Sequence, residues 1–174
     1  MNHFKLISLI MPFLIILSCE KDDICPESTQ TTPQLVVTFY DALAPQQSKT
    51  VESLAVYAIK DSELILIENI NGVNTDSIAV PLRTDIGVSN FRFIKNYSVE
   101  NDIIFGDSNH IYIDYEINDV FISRACGFIA NYSITTLLPY DTIQDPPVTG
   151  WISGYEIVTP IVTNENQSHV KILH

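Results

Sequence analysis

The chain has 174 residues, 46% of them hydrophobic and 17% charged, with 21 acidic against nine basic side chains and a net charge of −12. That length is one domain's worth, enough to bury a core, and the acidic balance repels nucleic-acid phosphates, which argues against DNA or RNA as a partner. The first element is an export signal. Lys5 supplies a positive start, Leu6 to Leu17 is apolar apart from Ser8 and Pro12, and Ser18 is small. A spanning helix needs about 20 apolar residues and this run has about a dozen, so residues 1–18 are expected to be a signal peptide and not a membrane span.

The segment ends in Ile16-Leu17-Ser18-Cys19, which resembles the lipobox of bacterial lipoproteins, where the cysteine becomes the lipid-modified N-terminus. The resemblance implies lipidation at Cys19 and a membrane held through the lipid anchor. Several acyl chains, at about 0.8 kcal/mol per buried CH₂, make such an anchor effectively permanent. Glu20 is followed by Lys21, Asp22 and Asp23, which resemble the lysine-plus-acidic signal that sends lipoproteins of Bacteroidota to the exterior face of the outer membrane. The alternative is a solvated charged tether on the periplasmic face. All 21 acidic residues follow Cys19 and only Lys5 of the basic ones precedes it, so the chain from Cys19 onward carries −13.

With Cys19 lipidated, Cys25 and Cys126 remain, and two cysteines in an exported chain point to one disulfide. A metal pair or a reactive thiol are the alternatives; supporting ligands and a Cys-x-x-Cys spacing are both missing for them. Residues 19–33 are polar and read as a lipidated tether, clamped at Cys25 to a strand carrying Cys126.

Residues 34–174 read as strands. Leu35 to Tyr40 is β-branched and aromatic. Leu54 to Ile59 and Leu64 to Ile67 flank a turn at Lys60-Asp61-Ser62-Glu63, and Asn71-Gly72 is a second turn. Ser77 to Leu82 is a short strand whose Pro81 favours a sheet edge. Phe91, Phe93 and Tyr97 alternate with Arg92 and Asn96. Ile103 to Phe105 is expected to end at Gly106-Asp107-Ser108-Asn109. Ile111, Ile113, Tyr115 and Ile117 then point one way, with His110, Tyr112, Asp114 and Glu116 opposite. A turn is expected at Asn118-Asp119, then strands at Val120 to Ser123 and Phe128 to Leu138. A proline-containing loop with Pro139, Pro146 and Pro147 leads to strands at Trp151 to Val158 and Val170 to Leu173. About nine or ten short strands without an amphipathic helix predict an all-β, antiparallel, immunoglobulin-like β-sandwich.

The motifs offer little chemistry. The chain has neither a Gly-x-Ser-x-Gly elbow nor a His-Glu-x-x-His helix. Asp114 and Glu116 are a candidate acidic pair whose simpler reading is the wet face of a strand. His110, His169 and His174 are the histidines available to a metal, and His169 is expected to share a strand face with Lys171, which opposes a cation. Asp107-Ser108-Asn109 lacks the rest of a calcium loop. No cofactor or metal site is expected. Tyr112 with His110 and Asp114, or Tyr140, Trp151 and Tyr155, are candidate sugar-binding aromatics. Asp76-Ser77-Ile78 and Asp141-Thr142-Ile143 resemble the O-glycosylation site of Bacteroidota, which implies Ser77 and Thr142 as acceptors.

Four segments together resemble an uncharacterised family of Bacteroidota lipoproteins, DUF6452: Cys19 to Pro26, Pro81-Leu82-Arg83-Thr84-Asp85, Val120 to Gly127, and His169-Val170-Lys171-Ile172. The resemblance implies compartment and domain extent and no activity. Within it Arg124, beside Cys126, is expected either to pair with a carboxylate or to contact a partner. The resulting expectation is a non-enzymatic lipoprotein of the outer membrane, acting as an accessory subunit of an outer-membrane protein complex. A surface glycan or small-ligand binder is the alternative, and an acid-pair hydrolase the third reading.

Overall fold

The structure, a computed structural model, describes residues 24–138 and 150–174. The signal peptide, Cys19, Lys21, Asp22, Asp23, Tyr140 and Thr142 lie outside the described residues. Among the described residues every regular element is a strand: β1 Leu35–Tyr40, β2 Val51–Lys60, β3 Glu63–Leu66, β4 Val73–Thr75, β5 Ser77–Val80, β6 Val88–Glu100, β7 Ile103–Ser123, β8 Gly127–Leu138, β9 Gly154–Ile157, β10 Ile161–Val162 and β11 Val170–Leu173.

The chain divides into two compact units. The larger, Thr32–Asp119 with Ala130–His174, is an all-β sandwich. One sheet has four strands in the order β5-β1-β11-β9, and the other has seven, β10-β8-β7-β6-β2-β3 with β4 also on β2. As Pro81 predicts, β5 is an edge strand. The expected antiparallel pairing has one departure: β1 and β11 are parallel, with Val37 opposite Val170 and Tyr40 opposite Leu173. Parallel neighbours need a long crossover, and here the whole chain between the first and last strands provides it.

Alternation along the strands explains the core. Leu35, Val37 and Phe39 of β1, Phe91 and Phe93 of β6, Ile111, Ile113 and Tyr115 of β7, Ala130, Tyr132 and Ile134 of β8, and Val170 and Ile172 of β11 are buried in one cluster. A second, smaller cluster of Ala55, Tyr57 and Ile94, capped by Leu66, Tyr97 and Ile104, uses the other parity of β2. The Tyr57 and Tyr97 hydroxyls share a hydrogen bond of 2.7 Å. Burial, then that bond, pushes the Tyr57 phenol up to about 12.

Two expected breaks do not occur. β7 runs through Gly106-Asp107-Ser108-Asn109 instead of ending there, because the irregularity is absorbed as a bulge: the register with β6 shifts between Lys95 and Ser98, opposite Asp107 and Phe105. Asn96 (φ 56°) and Gly106 (φ 134°) carry the left-handed backbone of the bulge. A Cβ at Gly106 would stand 2.6 Å from Ile94 Cγ2 and 2.7 Å from the Lys95 carbonyl, so only glycine fits. β7 also continues through Asn118-Asp119, where Asn118 Nδ2 donates to Ser133 Oγ at 3.3 Å instead of closing a turn. At the C-terminal end, the strand expected over Trp151 to Val158 is confined to β9, and β10 forms where none was expected.

The smaller unit comprises residues 24–31 and Val120–Ile129. It contains the end of β7, the turn Arg124-Ala125-Cys126, and the start of β8.

Candidate functional site

The smaller unit is built around a covalent bond. Cys25 and Cys126 form a disulfide with Cα atoms 4.9 Å apart, closing a sequence separation of 101 residues. Cys126 sits in the turn between β7 and β8 and not on a strand, a correction to the sequence reading. The turn is shaped by its own chemistry: the Cys126 N–H donates to Ser123 Oγ at 3.0 Å, and Gly127 adopts φ 71° with open space around it. On the tether side, the Thr29 N–H donates to the Pro26 carbonyl at 3.0 Å, and the Thr29 hydroxyl lies 3.7 Å from the Cys126 sulfur.

This turn displays apolar groups. Phe121 and Phe128, one on each strand, are 57% and 67% exposed and meet edge to face with centroids 5.2 Å apart. Val120 and Ile24 are also exposed. Arg124 is exposed in the turn, and no carboxylate lies within ion-pair distance of it among the described residues, so the simpler expectation for Arg124 is not realised there.

A second surface is the outer face of the seven-stranded sheet. Register places Arg92 opposite both Tyr57 and His110, and Asn90 opposite Tyr112. Arg92 Nε donates to Ser108 Oγ at 2.9 Å. Tyr112 is 37% exposed, and its hydrogen bond to the Asp114 carboxylate holds the phenol above its ordinary value. Glu116 shares this face with Asp114 and is exposed. A separate pocket of about 380 Å³ is lined by Asn69, Ile70, Val73, Asn74, Ser77 and Ile78, among others, without a carboxylate or an imidazole.

A third arrangement is internal. Arg83 N–H donates to Ser89 Oγ at 3.0 Å, Ser89 Oγ and the Tyr115 hydroxyl share a bond of 2.7 Å, and that hydroxyl donates to the Arg83 carbonyl at 2.9 Å. The Tyr132 hydroxyl donates to the Leu82 carbonyl at 3.4 Å. The Arg83 guanidinium grips Asp85 through two bonds and holds its carboxyl down at about 2.

A family model described as "Family of unknown function (DUF6452)" matches residues 53–174. The chain belongs to the DUF6452 family. No curated protein and no solved structure matches it. The DUF6452 match takes in three of the four segments that carried the resemblance, and the fourth, Cys19 to Pro26, precedes it. Each of the three has a physical part in the structure. Pro81-Leu82-Arg83-Thr84-Asp85 is held by the Tyr115 and Tyr132 hydroxyls. Val120 to Gly127 is the disulfide-bearing turn. His169-Val170-Lys171-Ile172 enters β11, a central strand of the small sheet.

His169 itself corrects an expectation. It precedes β11 with its ring wholly buried, not on the face of Lys171. The Val36 N–H donates to its Nδ1 at 3.0 Å, which places the ring proton on Nε2. Burial pushes its pKa down, opposed by the Asn164 backbone and the Glu165 charge. Lys171 instead lies over the Tyr40 ring at 4.3 Å. His174 is buried against Phe39 and Trp151, and burial lowers its pKa as well. Among the described residues no three His, Cys, Asp or Glu side chains gather where they could hold a metal ion.

Trp151 and Tyr155 do not form a joint platform. Trp151 packs on the core and on His174, 5.4 Å between centroids, whereas Tyr155 is exposed on β9 at the sheet edge. Ser77 is exposed on edge strand β5, its N–H and carbonyl both engaged by Thr75 Oγ1. The sequence reading missed the exposed Phe121–Phe128 pair. Its signal was available: the two rings flank the Cys126 turn, and closing a hairpin there puts them on adjoining strands.

Proposed function

We propose that this protein is a non-catalytic lipoprotein of the outer membrane, anchored through lipid on Cys19 and turned to the cell exterior by Lys21, Asp22 and Asp23. It acts there as a binding or accessory subunit of an outer-membrane protein complex for β-barrel assembly, export or uptake. The observation that carries the reading is the Cys25–Cys126 disulfide. Such a bond belongs to an oxidising compartment outside the cytoplasm, and it fastens the chain six residues after Cys19 to the β7–β8 turn. The exposed Arg124 in that turn serves as a partner contact.

Two measurements test the proposal. Cys19→Ala should release the protein from membranes without detergent; retention would reject the anchor. In mild detergent the lipidated protein should copurify stoichiometrically with an integral outer-membrane protein, and a lone monomer would reject the accessory role. Ser77, exposed beside Asp76, is proposed as a glycan acceptor, which peptide mass spectrometry reads directly.

A second reading, a surface glycan binder, draws on Tyr112. An exposed ring beside the Asp114 carboxylate and opposite the Asn90 amide suits the apolar face and hydroxyls of a sugar. Tyr112→Ala should then abolish binding to any glycan retained by the wild-type protein, with stability unchanged.

A further inference from the structure

The Val120–Ile129 turn differs in chemistry from the rest of the chain. The protein carries 21 acidic residues, yet these ten positions hold none, and their one charge is Arg124. Phe121 at 57% and Phe128 at 67% exposure meet edge to face in water, with Val120 at 38% and Ile24 at 73% in the same compact unit. An apolar patch of this kind, rimmed by a base and polar groups, marks an interaction surface.

Chain length identifies what covers it. Cys25 is bonded to Cys126 in this turn and stands six positions after Cys19. Six residues span at most about 20 Å fully extended. With acyl chains on Cys19 buried in the bilayer, the turn is held within that distance of the lipid surface. The headgroup layer is itself about 5–8 Å deep. Other exposed apolar side chains, such as Ile103 and Phe105, have no such covalent tie to the anchor.

We infer that the β7–β8 turn is a second membrane contact, in which Phe121 and Phe128, with Val120 and Ile24, enter the interfacial layer of the bilayer that holds the Cys19 lipid. This inference rests on the lipidation reading above. Arg124, read above as a partner contact, has lipid phosphate as that partner in this inference, since its guanidinium fork pairs with phosphate oxygens. Residues 120–129 hold no carboxylate, which lowers the repulsion that the rest of this acidic chain would meet at an anionic surface, and the exposed Glu27 is the one acid of the smaller unit among the described residues. A single lipid anchor holds the chain at one point; an apolar contact beside it adds a second point of attachment.

The test is a depth measurement on the lipidated full-length mature protein, reconstituted in vesicles of phosphatidylethanolamine and phosphatidylglycerol, 3:1, with a fraction of the acyl chains brominated. Phe128→Trp places a reporter in the turn, and Trp151, the native tryptophan, is the reference. The expected result is blue-shifted emission from Phe128→Trp, quenched by bromolipid at least twofold more than the wild-type protein. Equal quenching of the two proteins while both float with the vesicles overturns the inference and leaves the turn as a protein-binding surface. Mass spectrometry of the N-terminus reads acylation separately, so a missing lipid and a missing insertion give different results. If Phe128→Trp fails to close the Cys25–Cys126 disulfide, Phe121→Trp on the partner ring carries the same reading.

Discussion

The two units of this chain are held by different physics. The sandwich unit buries more than twenty apolar side chains in one cluster. In the other, Ile129 is the one buried apolar side chain among the described residues, and a covalent bond does the work of a core. A closed loop of about a hundred residues stabilises by about 4–5 kcal/mol in the chain-entropy account. The comparison shows what a disulfide permits: a segment tied this way does not need its phenylalanines inside, so they are available at the surface.

Removing core volume should have the largest effect. Phe91 is fully buried in the main cluster, so Phe91→Ala should cost about 3–5 kcal/mol, read as a lowered urea midpoint. Opening the disulfide with Cys126→Ser should cost about 2–5 kcal/mol and render residues 24–31 sensitive to protease. If Cys126→Ser leaves both the midpoint and proteolysis unchanged, the smaller unit does not depend on its bond.

Acid should act on the sandwich unit through its histidines. Burial lowers the folded-state pKa of His169 and His174 below 6.5. The unfolded chain therefore binds protons first, and stability falls as pH drops below about 6.5, levelling off below the folded pKa values. Urea midpoints between pH 7.5 and 5 should trace that fall, and His169→Gln should flatten part of it. A flat profile in the wild-type protein would show that neither imidazole is kept neutral by the fold.

The smallest effect should come from Phe121→Ser with Phe128→Ser. Both rings are already in water, so the double variant should shift stability by less than about 0.5 kcal/mol. A loss comparable to Phe91→Ala would make the turn a hidden part of the core and erase the distinction between the units.

Legibility followed locality. The alternation from Ile111 to Ile117 gave the buried and wet faces of β7 directly, because side-chain direction in a strand has a period of two. Gly106 was misread as a stop because glycine signals both turns and bulges, and only the approach of Ile94 and Lys95 separates them. Asn118-Asp119 misled for a similar reason: a turn-forming dipeptide stays extended when a neighbouring strand offers Asn118 a partner. The parallel β1–β11 pair had no local signature at all.

Taken alone, the sequence determined the all-β class, the edge position of β5, the acidic balance and the Cys25–Cys126 pairing, since these rest on composition, cysteine count, periodicity and short-range backbone preference, while the family was legible as a resemblance of particular segments. Tertiary structure decided the rest. It placed Cys126 in a turn, buried His169, and left Phe121 and Phe128 outside. The physical reason is that burial is a property of neighbours. An apolar residue in a strand reads the same whether its face meets a second sheet or meets water.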